Sequence, residues 1–431
     1  MRIKNLLFLM ILVLLGSFAW GASKLVILSP HNEAHRREIT NAFTQYYKQK
    51  YKTDIQIEWM DQGGGSDIMR YIKSEYKNKP RGIGVDLMFG GGIDPYLELG
   101  SMGLLQPCKI APSVLKQIPR DIHGIPIYDN QYRWYGTALA GFGILKNNIV
   151  SQRLGLPAVR TWQDLTNPKL QGWISSADPR HSGSVHMMYE IILQAYGWEK
   201  GWEIITQMGG NIKSFTQSAS NTPTEVGMGN AAYGLCIDTY AWSQIAKVGR
   251  SKMSFILPSG VTVINPDGIG VLKGAPNISA AKAFVEFSLS PSAQKLLMLP
   301  AGSPQGPKQF DLYRMAVIPG LYTTLGQQSQ IPVNPFQLKS VLKYDTVKGA
   351  RRYSLLNDMI GALVIDSHKE LGEAWSSVKG TPKARGIGRP PLTEAQAMAL
   401  AEKMKNDPQL RNKMISQWTV FARNKYRTYK K

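Results

Sequence analysis

His31 and His35 stand four residues apart in "SPHNEAHRRE" (29–38), with Glu33 between them. Two histidines at that spacing on one helix can hold zinc, and a glutamate can serve as general base. The metalloprotease pattern needs its glutamate directly after the first histidine. Asn32 occupies that place, so the pattern fails at the residue that carries the chemistry. A helix starting near Ala34 would also leave His31 in the loop before it. A second pair, His181 and His186 in "HSGSVH", is not spaced as a metal pair and reads as loop hydrogen bonding and helix packing. The same stretch is not a nucleophile elbow, because His186 stands where the final glycine belongs. No activated nucleophile, complete metal triad or paired-carboxylate motif is found, so binding rather than turnover is expected.

These polar residues need elements to position them. "KLVILS" (24–29), "DIQIEW" (54–59) and "GVDLMF" (84–89) read as strands. The segments between them carry apolar residues at helical spacing. A β-α-β-α-β order implies a parallel sheet with crossover helices, and ligands gather at the carboxyl ends of such strands. Three loops fall there. "SPHN" presents His31 and Asn32. "MDQGGGSD" (60–67) presents Asp61, Gly63 and Gly64. "GGGIDP" (90–95) presents Gly91 and Gly92. Each precedes a helix, whose first N–H groups and positive dipole end suit an anion. One glycine-rich loop alone is a tight turn; three along one sheet edge suggest a site.

A second unit opens with the strand-like run "WYGTALAGFGILKNN" (134–148). In it "GWISSA" reads as a strand and "VHMMYEIILQAYG" as a helix ending at Gly197, capped by Ser182 or Ser184. His181, Ser182, Gly183 and Ser184 are therefore candidate ligand residues. Asp238 and Tyr240 fall where the apolar strand "AAYGLCI" gives way to an expected loop, and there an aspartate can bind hydroxyls or an amine and a tyrosine can stack or ligate; the aspartate also suits a helix cap and the tyrosine an interface. "VTVINPDGIGVLKGAPN" (261–277) reads as a strand pair around a Pro-Asp-Gly turn. The end of the chain is helical in pattern, with a polar linker at 379–391.

At 431 residues the chain needs two or more lobes. It opens with a basic n-region (Arg2, Lys4), an apolar run (Leu6–Leu15) and small residues before Ser23. That is the pattern of an export signal over residues 1–22, and no lipid-anchor cysteine is expected. Cys108 and Cys236 read as two unpaired thiols. The formal net charge is +21, and residues 339–431 hold 19 basic and 8 acidic side chains. No nucleic-acid motif accompanies them; a solvated basic face, an anionic partner and a membrane surface all remain open.

The stretches "LVILSPHNEAHRREI", "DLMFGGGIDPYLELGSMGLLQP", "GFGILKNN", "TWQDLTNPKLQGWISSADPRHSGS", "GNAAYGLCIDTYA" and "VINPDGIGVLKGAPNISAAKAFVEFSLSPSAQKLL", in that order, resemble the type 2 periplasmic substrate-binding proteins of bacterial ABC transporters. The resemblance is nearest to the branch that binds ferric ion, thiamine, phosphonates and sugar phosphates, and it spans about residues 24–310. It implies an α/β, two-lobed type 2 periplasmic binding protein fold, with lobe 1 over 24–133 and again at about 262–310, lobe 2 over 134–261, and a mostly helical extension over 311–431. It implies a periplasmic location, no cofactor, and an ABC permease and ATPase as partners. The ligand would be an anionic small molecule, with phosphorylated compounds and ferric ion or a ferric chelate as the candidates. Ferric binders of this branch offer a histidine at the position of His31 and a tyrosine pair where this chain has Thr239-Tyr240, so one tyrosine is missing. An exported hydrolase and a ligand-sensing partner of a membrane kinase are the alternatives from other classes.

Overall fold

A computed structural model describes residues 23–338, 342–405 and 407–430; the expected export signal, residues 1–22, lies outside them. Strand β1 (Ser23–Leu28) leads through α1 (Glu33–Tyr51) to β2 (Ile55–Met60), and through α2 (Gly65–Asn78) to β3 (Leu87–Phe89) and α3 (Asp94–Ser101). β1 runs parallel to both β2 and β3. The long strand β4 (Trp134–Asn147) crosses to the second lobe. There β5 (Ile174–Ala177), α4 (Gly183–Tyr196), α5 (Trp198–Asn211), β6 (Ile212–Thr216), β7 (Tyr233–Ile237), α6 (Asp238–Val248) and β8 (Met253–Ile256) follow. β9 (Ile264–Leu272) returns to the first lobe, followed by α7 (Ile278–Ser288) and α8 (Pro291–Met298). The extension adds α9 (Thr346–Ile360), α10 (His368–Val378), α11 (Glu394–Met404) and α12 (Pro408–Arg427).

One strand path runs β2-β1-β3-β9-β4-β7-β5-β6 through both lobes. The first part of β4, up to Gly141, pairs antiparallel with β9; Phe142–Lys146 pair with β7, and β8 lies on the other edge. β4 is buried along nearly its whole length, as a strand covered on both faces must be. Among the described residues before the extension, the chain passes between the lobes along this strand and at the return at residues 257–263.

Local chemistry starts the helices where the loops end. Asn32 caps α1, its side chain accepting from His35 N at 2.9 Å. Ser182 caps α4, accepting from Val185 N. Lobe 1 is built on Ile27, Phe43, Phe89, Phe284 and Leu297. Leu312, Met315, Val317 and Ile331 join that core. A second apolar cluster unites α4 and α5 with Leu356, Met359 and Trp375 of the extension, and with Ile68, Ile72, Tyr96 and Leu99 of lobe 1.

Three local expectations differ from the structure. Pro266-Asp267-Gly268 is no turn but the middle of β9, with a register shift between Asp267 and Gly268; the apolar flanks pair with β3 and β4, and a bulge tolerates proline in a sheet. The chain after Ile237 enters α6 at once instead of a loop. The stretch 379–391 is no linker: Pro382–Gly388 forms a short 3₁₀ helix with Ile387 fully buried. Cys108 and Cys236 are both buried and unpaired.

Candidate functional site

A cleft of about 880 Å³ lies between the lobes. Lobe 1 lines it with His31, Asn32, Asp61, Gly63, Gly64, Gly91 and Gly92; lobe 2 lines it with His181, Ser182, Gly183, Ser184 and Tyr240. All of these were expected from the strand-end loops. What each can do there follows from its partners.

His31 has both ring nitrogens engaged. Nε2 donates to the Asp267 carboxylate at 2.8 Å, which leaves Nδ1 to accept from the Ser29 hydroxyl at 3.0 Å. Burial, with Arg314 nearby, holds its pKa below the usual histidine value. His31 therefore shapes the wall more than it offers a ligand atom. Asn32 lines the cleft while its side-chain oxygen caps α1. Asp61 is exposed; it pairs with Arg36 at 3.1 Å and accepts from Gly63 N at 3.0 Å.

The glycine loops permit close approach of the two lobes. Gly63 adopts φ +87°, and Gly90, Gly91 and Gly92 adopt φ +102°, +96° and +80°, where a Cβ is strained. A methyl group on Gly64 would overlap the carbonyl oxygen of His181, and Gly65 packs against Gly91 and Gly183. Bonds cross the gap beside them. Ser66 Oγ donates to Pro179 O at 3.1 Å, Arg70 donates to Arg180 O at 2.8 Å, and His181 Nδ1 meets Asp67 at 3.2 Å. These contacts join the two lobes at the rim of the cleft.

On the lobe 2 side, Ser182 and Ser184 hydroxyls lie 3.2 Å apart at the start of α4. The Gly183 and Ser184 N–H groups belong to the first helical turn, where no intrahelical partner exists. The loop Gln217–Ser220 adds Ser218 and Ser220 to the same wall, a contribution that no sequence pattern announced.

Asp238 lies elsewhere. It is not on the cleft wall: one carboxylate oxygen accepts from Gly141 N at 2.8 Å and the other from Thr239 N at 2.6 Å. Burial raises its pKa to about 7. It ties the crossing strand β4 to the start of α6, which is why a carboxylate stands at that strand end. Tyr240 does face the cleft, but among the described residues no three histidine, cysteine or carboxylate side chains are grouped to hold a metal ion.

A buried ion pair on the cleft was missed by sequence reasoning. Asp267 and Arg314 are both buried and paired with each other, and Asp267 also accepts from His31 and from Gly92 N at 3.1 Å. Arg314 and these donors hold the carboxyl of Asp267 far below the usual range despite its burial. The signal was hidden because Pro-Asp-Gly reads locally as a turn, and Arg314 follows no motif. The extension also reaches the cleft. Tyr353 lines it, lies tilted against His186 with ring centroids 3.7 Å apart, and bonds Ser66 Oγ at 2.8 Å. Asp94 lines it too and is bound by Tyr344 at 2.9 Å; burial raises Asp94 to about 7.

Two α/β lobes, joined by crossing strands and closed over a cleft of loops and helix N-termini, define a two-lobed solute-binding protein. The chain belongs to the bacterial extracellular solute-binding protein family, whose model matches residues 98–313. The periplasmic binding protein AfuA of Actinobacillus pleuropneumoniae, solved with fructose 6-phosphate, superposes with a TM-score of 0.63 at 22% identity, covering 79% of this chain and 98% of that one. Iron-bound HitA of Pseudomonas aeruginosa gives a TM-score of 0.59 at 19% identity, covering 79% and 99%. Among curated sequences, the phosphoglycerate transport regulatory protein PgtC of Salmonella typhimurium is 28% identical over 182 residues, 42% of this chain and 43% of that protein. An uncharacterized protein of Haemophilus influenzae is 26% identical over 307 residues, 71% of this chain and 81% of that protein.

Proposed function

We propose that this is the periplasmic solute-binding component of an ABC import system, and that it takes an anionic, phosphorylated small organic molecule and hands it to a membrane permease driven by an ATPase. The carrying observation is the start of α4. Ser182 and Ser184 hydroxyls and the first N–H groups of a 14-residue helix open onto the interlobe cleft, and such a terminus favours a negative group. Arg314 on the same cleft supplies a buried positive charge, although Asp267 already compensates it. The likeness to AfuA and PgtC supports the same chemistry. The activity is binding: the ligand is expected to leave chemically unchanged.

A ferric chelate is the second reading, favoured by the phenol of Tyr240 on the cleft wall and the likeness to HitA. Thermal-shift measurements with inorganic phosphate, fructose 6-phosphate, 3-phosphoglycerate and ferric citrate separate the two. Stabilisation by the phosphorylated compounds, weakened roughly 5- to 100-fold in affinity by Ser184→Ala through loss of a hydrogen bond, supports the first reading. Stabilisation by ferric citrate alone, abolished by Tyr240→Phe, rejects it.

A further inference from the structure

We propose that the end of the C-terminal extension is a peripheral docking surface for an anionic phospholipid membrane, built from Lys383, Arg385, Arg389, Lys413, Lys425 and Arg427. None of these residues lines the cleft, so the proposal stands apart from the choice of ligand.

Two segments of one charge sign meet there. α12 carries five basic side chains and no acidic one, and the stretch 379–391 carries four basic and no acidic ones. The two are adjacent in space: Lys425 Nζ donates to Arg389 O at 2.6 Å, and Gly386 packs against the Tyr429 hydroxyl. Three of the basic groups are held elsewhere. Arg411 pairs with Asp358 at 2.6 Å, Arg423 with Glu370 at 3.6 Å, and Lys379 donates to Gln171. The remaining six form no ion pair among the described residues. Two acidic side chains at the edge of the patch are already taken, Glu203 beside Gly388 by Lys200 at 2.9 Å and Glu373 by Lys430. Five of the six are exposed. Lys425 is half-buried, and burial with the charge of Arg389 lowers its pKa to about 8. Crowded like charges disfavour the charged form, and an anionic surface relieves that.

Dimensions decide which kind of anion fits. Lys413, Val420 and Arg427 recur every seven residues and so share one exposed stripe of α12. The outer two are about 21 Å apart along the axis. A small phosphate compound cannot touch both ends, whereas a plane of headgroups meets all of these charges at once. Val420 and Phe421 are 59% and 38% exposed among the basic residues, and Lys425 Nζ lies 5.7 Å from the centre of the Phe421 ring. Exposed apolar groups among cations suit the headgroup boundary, where buried apolar area and attraction to anionic lipid add. Among the described residues no helix is long and apolar enough to cross a membrane, so the contact is peripheral. Docking there would hold the protein beside the permease that the reading above assigns to it.

Sedimentation with vesicles, using the protein purified after export, tests the proposal. Vesicles of phosphatidylglycerol and phosphatidylcholine in equal parts should bind wild type at about 0.15 M salt, where the screening length is about 8 Å, and release it at about 1 M, where it is about 3 Å. Vesicles of phosphatidylcholine alone should not bind it. Lys383→Gln, Arg385→Gln and Arg389→Gln together should weaken binding about a hundredfold, at about fivefold per charge. Lys413→Gln with Arg427→Gln, on the other element, should weaken it about 25-fold by the same rule. Lys52→Gln, Lys77→Gln and Lys116→Gln, at exposed positions of lobe 1, remove as much charge as the first triple and should change binding less than about threefold, because they lie beyond the screening length of the contact. Melting at the wild-type temperature confirms that the variants fold. Failure of wild type to bind the mixed vesicles, equal binding to both kinds of vesicle, or equal loss in the two triple variants overturns the proposal. So does retention on immobilised polyglutamate without vesicle binding, which would assign the patch to an acidic protein.

Discussion

Arg314 and Asp267 fix the charge of the cleft wall as a pair, and neither tolerates removal of the other. Both are buried, and a buried charge left without its partner costs about 3–5 kcal/mol. Asp267→Ala should lose that much in denaturant unfolding, whereas Asp267→Ala combined with Arg314→Met should recover part of it. Equal loss in the single and double variants would show that the pair is not coupled. Asp94 gives a pH-dependent case. Its folded pKa of about 7 lies above the ordinary value of 3.8, so its contribution is fully present at pH below about 4 and is lost as pH rises through 7. Asp94→Asn removes this proton linkage. The stability of that variant relative to wild type should therefore rise by up to about 1.4 kcal/mol per pH unit between pH 4 and 7, then level off. A difference that stays flat over that range would contradict the buried, protonated carboxyl.

The elements around the cleft act through contact between backbones. The tip of the second loop meets lobe 2 at His181, with no room for a side chain at Gly64. Gly64 itself has ordinary φ of −77°, so alanine strains nothing locally and interferes only when the lobes close. Gly64→Ala should weaken ligand binding by tenfold or more, on the order of the 1–3 kcal/mol that overpacking costs. An unaltered affinity would mean that closure is not needed for binding. The anchor of the extension is different in kind. Arg352 of α9 is fully buried and pairs with Glu190 of α4 through two bonds of 2.8 Å. Arg352→Met leaves Glu190 as an unpaired buried charge and should cost about 3–5 kcal/mol, measured by denaturant unfolding, while Glu190→Gln with Arg352→Met should cost less.

For the whole molecule, two crossings near Gly141 and residues 257–263 carry the chain between lobes, and the extension adds a third link through Tyr344 and Tyr353 to lobe 1. Opening the cleft must break those two tyrosine bonds along with the Ser66, Arg70 and Asp67 contacts. X-ray scattering should show a smaller radius of gyration at saturating ligand than without it. Tyr353→Phe, which removes the hydroxyl on Ser66 but keeps the ring on His186, should shift the unliganded protein toward the larger radius. Identical scattering in all states would reject hinge closure.

The strand-loop-helix order of both lobes was legible because it depends on local chemistry: alternating or continuous apolar runs make strands, Asn32 and Ser182 cap helices, and positive-φ glycines make tight loops at strand ends. Those features also marked part of the cleft wall, since the carboxyl edge of a parallel sheet is set by topology alone. Three things were decided only in three dimensions. Asp267 entered the site because β9 continued through a local turn signal when β3 and β4 paired on either side. Asp238 left it because its carboxylate met an unsatisfied N–H on the crossing strand. The extension joined it because α9 buried Leu356 and Met359 against both lobes and carried Tyr353 to the cleft. In each case the deciding contact is between residues nearly a hundred or more positions apart, or between strands whose pairing no local pattern specifies, and burial rather than propensity selects the outcome.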